Sequence, residues 1–452
     1  MAKKKQIELT IEEKLQNALV PKEEQPYKIP SNWCWGILGE ITSVIGGGTP
    51  SSKINEYYDN GDIAWITPSD LSNYNNMYIS KGKKMITKLG LMKSSAKLLP
   101  KGTVCLSSRA PIGYVVIAKN ELSTNQGFKS FLPSKVFKSE YLYWYLKSIK
   151  HILEAKASGT TFLELSAKKA GEVEIPLPPL NEQQRIVNRI ESLFAKLDRA
   201  KELIENTLAQ FEQNKMAILH KAFTGELTAK WRKENNIDLS SWEKIKLGKV
   251  LLPMQTKKPT GQFFRYIDID AIDNKRQIVK APKLILTEKA PSRASRGVET
   301  GNILFSMVRP YLKNIAQIDS DLSDCIASTG FYVCRCKPEL NSRFLYYLFI
   351  FDKTIDYLMQ FMKGDNSPSI RKDDLLNMKI DLPTIEEQQE IVNILDNLLA
   401  KYNKIKNLEQ QLEKIELLKK AILAKAFRGE LGTNNPDEES AENLLKEILA
   451  EK

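Results

Sequence analysis

Few residues in this chain could carry reaction chemistry. The run GGGTPSSK (Gly46–Lys53) has the glycines of a phosphate-cradling loop. It lacks the second glycine and the Gly-Lys-Ser/Thr ending whose lysine would reach a phosphate, so that chemistry is rejected. His151 and His220 are the only histidines, too few to furnish a histidine-based triad or a two-histidine metal site. Cys334-Arg-Cys336 is too tight for the usual zinc pair and has no histidine near it. Five irregularly spaced cysteines suit buried thiols in a reducing compartment. There is no Rossmann glycine fingerprint and no Asn-Pro-Pro-aromatic motif of adenine methylation. SPSIRKDD (Ser367–Asp374) orders its acids and lysine as a loop entering a helix rather than as a nuclease centre. The chain is expected to catalyse nothing alone and to bind no metal or cofactor.

What remains is binding chemistry. The formal net charge is +12 and the pI about 9.1. Residues 28–175 hold 19 Lys and Arg against 11 Asp and Glu, and residues 242–381 hold 23 against 16. The excess therefore sits on two separated bodies, while the segments after each are close to neutral. Charge alone fits a grip on nucleic acid at two places and a soluble basic surface equally well. In the first body the candidate DNA contacts are Lys81, Lys83, Lys84, Ser107, Ser108, Arg109, Asn125, Gln126, Thr160 and Thr161. In the second they are Arg293, Arg296, Arg309, Tyr311, Lys313, Ser328, Thr329, Ser367 and Arg371. Arginine suits guanine edges and phosphates, and asparagine and glutamine suit adenine. Singly, each reads as an ordinary loop residue. Their recurrence at matching places, Arg109 with Arg309 and STNQGF (Ser123–Phe128) with ASTGF (Ala327–Phe331), singles them out.

The elements that must position these residues are written twice. KAFTGEL (Lys221–Leu227) returns as KAFRGEL (Lys425–Leu431) 204 positions later with one change. NEQQRIVNRI (Asn181–Ile190) faces EEQQEIVNIL (Glu386–Leu395) at an offset of 205, so one residue slips between the two ends. Fainter matches pair Trp33 with Trp242 and EYLYWYL (Glu140–Leu146) with RFLYYLF (Arg343–Phe349). Apolar residues at Ile186, Ile190, Leu193 and Leu197, continuing to Ala222, alternate in steps of four and three, and the run from Ile391 through Leu395, Leu398, Tyr402 and Ile405 to Ala426 does the same. Each run predicts one striped helix of about 42 residues, roughly 60 Å long. Asn181 with Gln184 and Thr384 with Glu387 are the expected starts, and Gly225 and Gly429 the left-handed stops. A narrow stripe needs a partner, and the obvious one is the other helix, antiparallel across an internal pseudo-twofold. The helix ends, Lys221, Phe223, Gly225, Glu226, Lys425, Phe427, Gly429 and Glu430, are candidates for docking a partner, because a coiled-coil seam has little need of Gly-Glu-Leu. His220 faces Ala424 in the other copy, which argues against a catalytic role.

Ahead of each helix, strand-length runs such as GTVCLSSRAPIGYVVIA (Gly102–Ala118) and GNILFSMVRPYLKNIAQI (Gly301–Ile318) precede a short aromatic helix, a glycine turn and a returning strand. The predicted class is α+β, two similar globular domains joined by two long helices forming an antiparallel coiled coil. The boundaries follow: an extension at 1–30, globular domains at 31–179 and 232–383, long helices at 180–231 and 384–432, and a tail helix at 433–452. The terminal segments IELTIEEKLQNAL (Ile7–Leu19) and NPDEESAENLLKEILAEK (Asn435–Lys452) read as helices either packed on the long pair or contacting partners. MAKKKQIELT has no apolar run behind its basic start, and no stretch is a membrane span, so the expected place is the cytoplasm.

PLPPLNEQQRIV joined to a downstream KAFTGELTAKWR, and the echo of both in the second copy, resembles the DNA-specificity subunits of bacterial type I restriction-modification systems. The resemblance covers nearly the whole chain. It implies two target-recognition domains, each reading half of a bipartite site in double-stranded DNA. It also implies two methyltransferase (modification) subunits that use S-adenosylmethionine, and two restriction subunits driven by ATP and Mg. GGGTPS with WITPSDL (Trp65–Leu71) is common at the front of such domains. The second unit departs from it with LLPMQTKKPTGQFFRYIDI (Leu251–Ile269), which suits unlike half-sites. The rivals are the specificity half of a fused or type II system, which needs a catalytic domain, a coiled-coil scaffold whose basic heads bind RNA or acidic proteins, and an enzyme using His151.

Overall fold

A computed structural model describes residues 9–159, 163–403 and 406–451, so the candidates Thr160 and Thr161 and the stripe residue Ile405 lie outside the described residues. The chain divides into one unit made of Met1–Glu202 with Gln411–Lys452 and a second made of Leu203–Gln410. The first long helix, Leu180–Phe223, is thus shared between the units, and the second run is described as two helices, Ile385–Asn403 in the second unit and Lys406–Phe427 entering the first.

The first unit contains β1 (Cys34–Ile37), β2 (Val44–Gly46), β3 (Ile63–Ile66), β4 (Tyr78–Ile79), β5 (Lys84–Ile86), β6 (Val104–Ser108), β7 (Ile112–Ala118), β8 (Ser123–Thr124), β9 (Phe128–Phe131) and β10 (Glu174–Leu177). They form sheets ordered β2-β9-β6-β7-β4 and β5-β3-β8, and the antiparallel pair β1-β10. The second unit contains β11 (Glu243–Lys246), β12 (Leu251–Leu252), β13 (Phe263–Ile267), β14 (Ile272–Asp273), β15 (Ile278–Val279), β16 (Lys283–Leu286), β17 (Ala294–Gly297), β18 (Ile303–Ser306), β19 (Ile315–Gln317), β20 (Ile326–Ser328), β21 (Phe331–Cys336) and β22 (Lys379–Leu382). Its sheets repeat the core of the pattern as β12-β21-β18-β19, β16-β13-β20-β17 and β11-β22, without a counterpart of β4 and with β17 and the hairpin β14-β15 added. Even the parallel pair recurs, β3 against β8 and β13 against β20. The class is α+β, and the repeat extends to strand order.

Aromatic helices Ser139–Ser148 and Ser342–Ile350 are apolar nearly all round, so each is sunk between its sheet and the long helix. Tyr141, Leu142, Phe344 and Phe349 are fully buried. In the first unit Ile186, Val187 and Ile190 share a core with Ala426 and Phe427. Lys419 pairs with Asp198 at 2.5 Å and Lys201 with Glu416 at 3.7 Å, so rising number on one strand of the seam meets falling number on the other, and the helices are antiparallel. In the second unit Leu219 and Ala222 share a core with Ile391, Val392 and Leu395.

The long helix begins at Leu180 and runs 44 residues to Phe223, so Asn181 lies inside the first turn and is not its cap. The reason is the inward turn of the next two residues. Glu182 and Gln183 are fully buried, as are Glu387 and Gln388 in the other copy. Gln183 donates to the carbonyls of Val136 and Pro178 at 3.0 Å each and accepts from the Lys138 N–H at 2.9 Å. Gln388 repeats this with Glu339, Pro383 and Asn341. Glu182 accepts from Trp33 Nε1 at 2.8 Å and Asn434 Nδ2 at 2.9 Å, and from the Thr433 hydroxyl at 3.3 Å. Glu387 accepts from Trp242 Nε1 at 2.9 Å, Thr228 Oγ1 at 2.6 Å and Arg232 Nη1 at 2.5 Å.

This accounts for the repeated Gly-Glu-Leu. Gly225 (φ +80°) and Gly429 (φ +76°) turn the chain off the helix in the left-handed conformation. The residues that follow then reach the buried carboxylate of the other copy's opening turn. Phe427 is 2% exposed beside Tyr141 and Tyr145, and Phe223 packs on Phe344 and Phe351. Phe427 is a core residue rather than a docking residue, which corrects the sequence expectation, and Phe223 is half-buried against its core. Lys221, Glu226, Lys425 and Glu430 stay exposed.

The terminal helices Ile11–Ala18 and Ala441–Ala450 join the first unit's core through Ala18, Leu445 and Leu449. Arg185 grips Glu438 with two bonds of 2.7 and 2.8 Å and reaches the Thr433 carbonyl at 3.0 Å.

Glu387→Ala strips three donors of their acceptor and leaves the Arg232 guanidinium unpaired in the core. The second unit is expected to lose about 3–5 kcal/mol, measured by denaturant titration followed through hydrogen exchange in that unit. A separate expectation concerns pH. The bonds from Arg185 hold the Glu438 carboxyl below its usual value. A depressed carboxylate stabilises fully above its unfolded pKa and loses that contribution as pH falls through the lower folded value. Exchange protection over 433–451 should therefore be intact at neutral pH and decline once pH drops below about 4.3, the ordinary glutamate value. Glu438→Gln should abolish that decline when exchange is corrected for intrinsic rates.

Candidate nucleic-acid interface

In the first unit the glycine run extends β2 onto the turn after β8. The Gly47 N–H donates to the Phe128 carbonyl at 3.3 Å, the Gly48 N–H to that of Thr124 at 2.9 Å, and Trp65 Nε1 to the Gly48 carbonyl at 3.0 Å. A Cβ at Gly47 would stand 1.9 Å from the Asn125 carbonyl oxygen, so the run serves close backbone approach and not phosphate capture. Its outcome is a polar turn. Thr49 Oγ1 donates to Gln126 Oε1, and Asn125 Oδ1 accepts from the Gly127 N–H at 2.9 Å. Both amides keep NH₂ donors for an outside acceptor. In WITPSDL, Asp70 accepts from the Thr67 N–H at 2.8 Å and the Lys83 N–H at 2.9 Å, which fastens the segment carrying the exposed Lys81, Lys83 and Lys84.

The second unit builds the same turn with other side chains. Ser328 Oγ accepts from the Gly330 N–H at 3.2 Å, as Asn125 does from Gly127. The Thr329 N–H donates to the Arg293 carbonyl at 2.9 Å, so β17 brings exposed Arg293 and half-buried Arg296 beside exposed Thr329.

Arg109 and Arg309 lie on matching loops, after β6 and β18. Each loop is stitched to the unit's glycine turn, through Leu165 N–H to the Ser108 carbonyl at 2.9 Å and Ile370 N–H to the Met307 carbonyl at 3.0 Å. Arg109 faces Glu164 at 3.7 Å, and Arg309 donates to the Asn366 carbonyl at 2.9 Å. Arg309 (φ 48°, ψ 59°) and Lys313 (φ 49°, ψ 44°) hold left-handed backbone without being glycine, a strain found at ligand-contacting loops. Exposed Tyr311 and Ser367 and a cavity of about 500 Å³ adjoin this loop.

Four candidates do not reach solvent in a usable form. Ser107 is fully buried, donating to the Pro111 carbonyl and accepting from the Tyr114 N–H at 2.8 Å each, which closes its own hairpin. Ser108 is fully buried under Lys129 Nζ at 3.4 Å. Ser328 is 4% exposed and spent on its turn. Lys313 is tied to the Ile350 carbonyl at 3.1 Å and to the Asp352 carboxylate, which neutralises it. Arg371 remains exposed at the start of the helix Lys372–Leu376, its N–H on Asp374 at 2.8 Å. Sequence reasoning missed Thr49, whose only signal was its place after the glycines, and Asn314, which has no sequence signal at all.

Burial pushes the thiols of Cys34, Cys105 and Cys336 up to about 12, far from reactivity at neutral pH. Among the described residues no group of His, Cys, Asp and Glu could hold a metal ion, and no helix is long and apolar enough to cross a membrane.

The family model described as the type I restriction modification DNA specificity domain matches residues 30–210 and again 242–417. The chain belongs to that family. This specificity subunit is 30% identical over 441 residues to the type I restriction enzyme MjaIX specificity subunit of Methanocaldococcus jannaschii, covering 91% of this chain and 96% of that one. It is 28% identical over 350 residues to the EcoDI specificity subunit of Escherichia coli, covering 70% of this chain and 77% of the relative. In fold, the specificity subunit resembles the crystal structure of the HsdS subunit from Thermoanaerobacter tengcongensis, with a TM-score of 0.57 at 22% identity over 90% of this chain and all of that one. A chain from a structure described as the basis of complex assembly and conformational transition of the type I R-M system gives a TM-score of 0.68, at the same identity and coverage.

Gly47→Ala is expected to displace the Asn125–Gly127 turn of this specificity subunit while sparing its counterpart. Exchange should quicken at Gly127 and Phe128 and stay unchanged at Gly330 and Phe331.

Proposed function

We propose that each unit reads one half of a bipartite site in double-stranded DNA, that the paired helices set the gap, and that the subunit scaffolds two modification subunits and two restriction subunits. The observation that carries this reading is the turn after β8 and β20. One backbone device is built twice, presenting Asn125 and Gln126 in the first unit and Thr329 with Arg293 in the second. Equal frameworks with unequal donors are what two unlike half-sites require.

The recognition segments are 31–179 and 232–383, and the exposed Lys81, Lys83, Lys84, Arg293 and Arg371, with half-buried Arg296, supply phosphate contacts. Such contacts raise affinity for any sequence and weaken steeply with salt. Arg109, Arg309, Tyr311 and Ser367 sit where base edges can be discriminated. The exposed helix-end residues Lys221, Glu226, Lys425 and Glu430 offer charged docking points. Chemistry belongs to the partners: S-adenosylmethionine-dependent adenine-N6 methylation in the modification subunits and ATP- and Mg-driven cleavage in the restriction subunits. The place of action is the cytoplasm.

The test is to map N6-methyladenine across DNA from cells expressing this chain with its modification subunit. Two short half-sites with a fixed gap are expected. Methylation at one undivided site, or none despite a stable complex, would overturn the two-reader model in favour of a basic scaffold.

A further inference from the structure

We infer that the open pocket of the second unit lined by Asn314 is a base-reading site of the second half-site and takes an adenine edge; the inference rests on the half-site reading above. The cavity, about 500 Å³, lies among the loop from Val308 to Asn314, the segment entering β14, and Ser367 of the glycine turn. Its polar lining includes Asp270, Arg309, Asn314 and Ser367, and Val308 and Leu312 contribute apolar wall.

Asn314 is the informative residue. It is 7% exposed, and its carbonyl accepts from the Ser306 N–H at 3.1 Å. Its side-chain amide makes no hydrogen bond to any described residue and is not shut off from solvent, so its donors and acceptor are open to a group that enters from outside. The amide lines the cavity, so a group entering there would complete it. An asparagine amide offers one acceptor and two donors, the complement of the N6 amino group and N7 of adenine.

The rest of the lining selects against a backbone phosphate. A phosphate site is made of donors and positive charge, whereas this one includes the Asp270 carboxylate. A base edge, with donor and acceptor side by side, tolerates a carboxylate and an amide together. The loop that carries Asn314 holds two non-glycine residues, Arg309 and Lys313, in left-handed backbone. Asn314 follows Lys313 directly and precedes β19.

The first unit has no equivalent. Register matches Ser306, opposite Phe331, to Ser107, opposite Phe128. Ile315, opposite Phe305, then corresponds to Val115, opposite Leu106, which places Tyr114 where the second unit has Asn314. The amide lining is therefore particular to one unit, as a determinant of one half-site must be.

The experiment presents the full chain, in complex with its modification subunit, with a DNA library in which both half-sites are randomised, and sequences the bound fraction. Wild type, Asn314→Ala and the near-isosteric Asn314→Asp are compared. Asn314→Ala is expected to lose the preference for one adenine of the second half-site by roughly ten- to a hundredfold. Asn314→Asp, an acceptor without donors, should turn that preference toward cytosine, whose N4 amino group donates. The first half-site should be selected unchanged by both, which also shows that both variants fold. A wild-type complex that selects two half-sites while both variants keep every letter would mean that the cavity holds only water, and would overturn this inference alone. Equal weakening across all sequences would also overturn it, assigning Asn314 a structural part. A wild-type complex that selects no second half-site would overturn the half-site reading and this inference with it.

Discussion

The structure depends on two buried carboxylates. Glu182 and Glu387 sit fully buried in the opening turns of the long helices, and each is reached by an indole N–H from the first strand region of its unit and by donors from the segment that follows the opposite copy's Gly-Glu-Leu. A carboxylate in that position is tolerable only if its lone pairs are filled. It therefore demands that three stretches of chain, distant in sequence, arrive together. Glutamine next door does the same for the backbone, tying Val136 and Lys138 to the first helix and Glu339 and Asn341 to the second.

The two anchors are alike in place and different in charge. Glu387 has the Arg232 guanidinium, with a second bond from Arg232 to the Gly225 carbonyl. Glu182 is served by Trp33, Asn434 and Thr433, all neutral, and the tail is instead pinned by the Arg185 to Glu438 pair at the surface. The second unit consequently has its cation inside the anchor and the first unit has it outside. The first unit also holds the helices Ile11–Ala18 and Ala441–Ala450, which pack on its core.

Around these anchors the repeated parts are buried and the unlike parts are exposed. The aromatic helices, the β6 and β18 strands and the parallel pairs β3–β8 and β13–β20 recur in both units. The turns above them carry Asn125 and Gln126 in one and Thr329 and Arg293 in the other, on the same Asn-to-Gly or Ser-to-Gly hydrogen bond. A rigid frame with interchangeable tips is the arrangement that lets two readers share one architecture.

The amino-acid sequence determined by itself the duplication, the α+β class, the long helices and their antiparallel partnership, because apolar period, proline and glycine placement and direct echo are local signals. It also placed Gly225 and Gly429 as helix stops. Tertiary structure decided what those local signals leave open. Asn181 looked like a cap and lies within the helix, because Glu182 and Gln183 turn inward toward groups from Trp33 to Asn434 that no local window contains. Phe427 looked like a docking residue and is packed inside, Phe223 is half-buried against Phe344 and Phe351, Ser107 looked available and is spent closing a hairpin, and Ser108 is buried beneath Lys129. Asn314 is one asparagine among many until the fold sets it at a pocket and gives its amide no partner within the protein. Which polar side chain is consumed by the protein and which is left for a ligand depends on long-range satisfaction of hydrogen bonds, and that sum is settled only when the whole unit has closed.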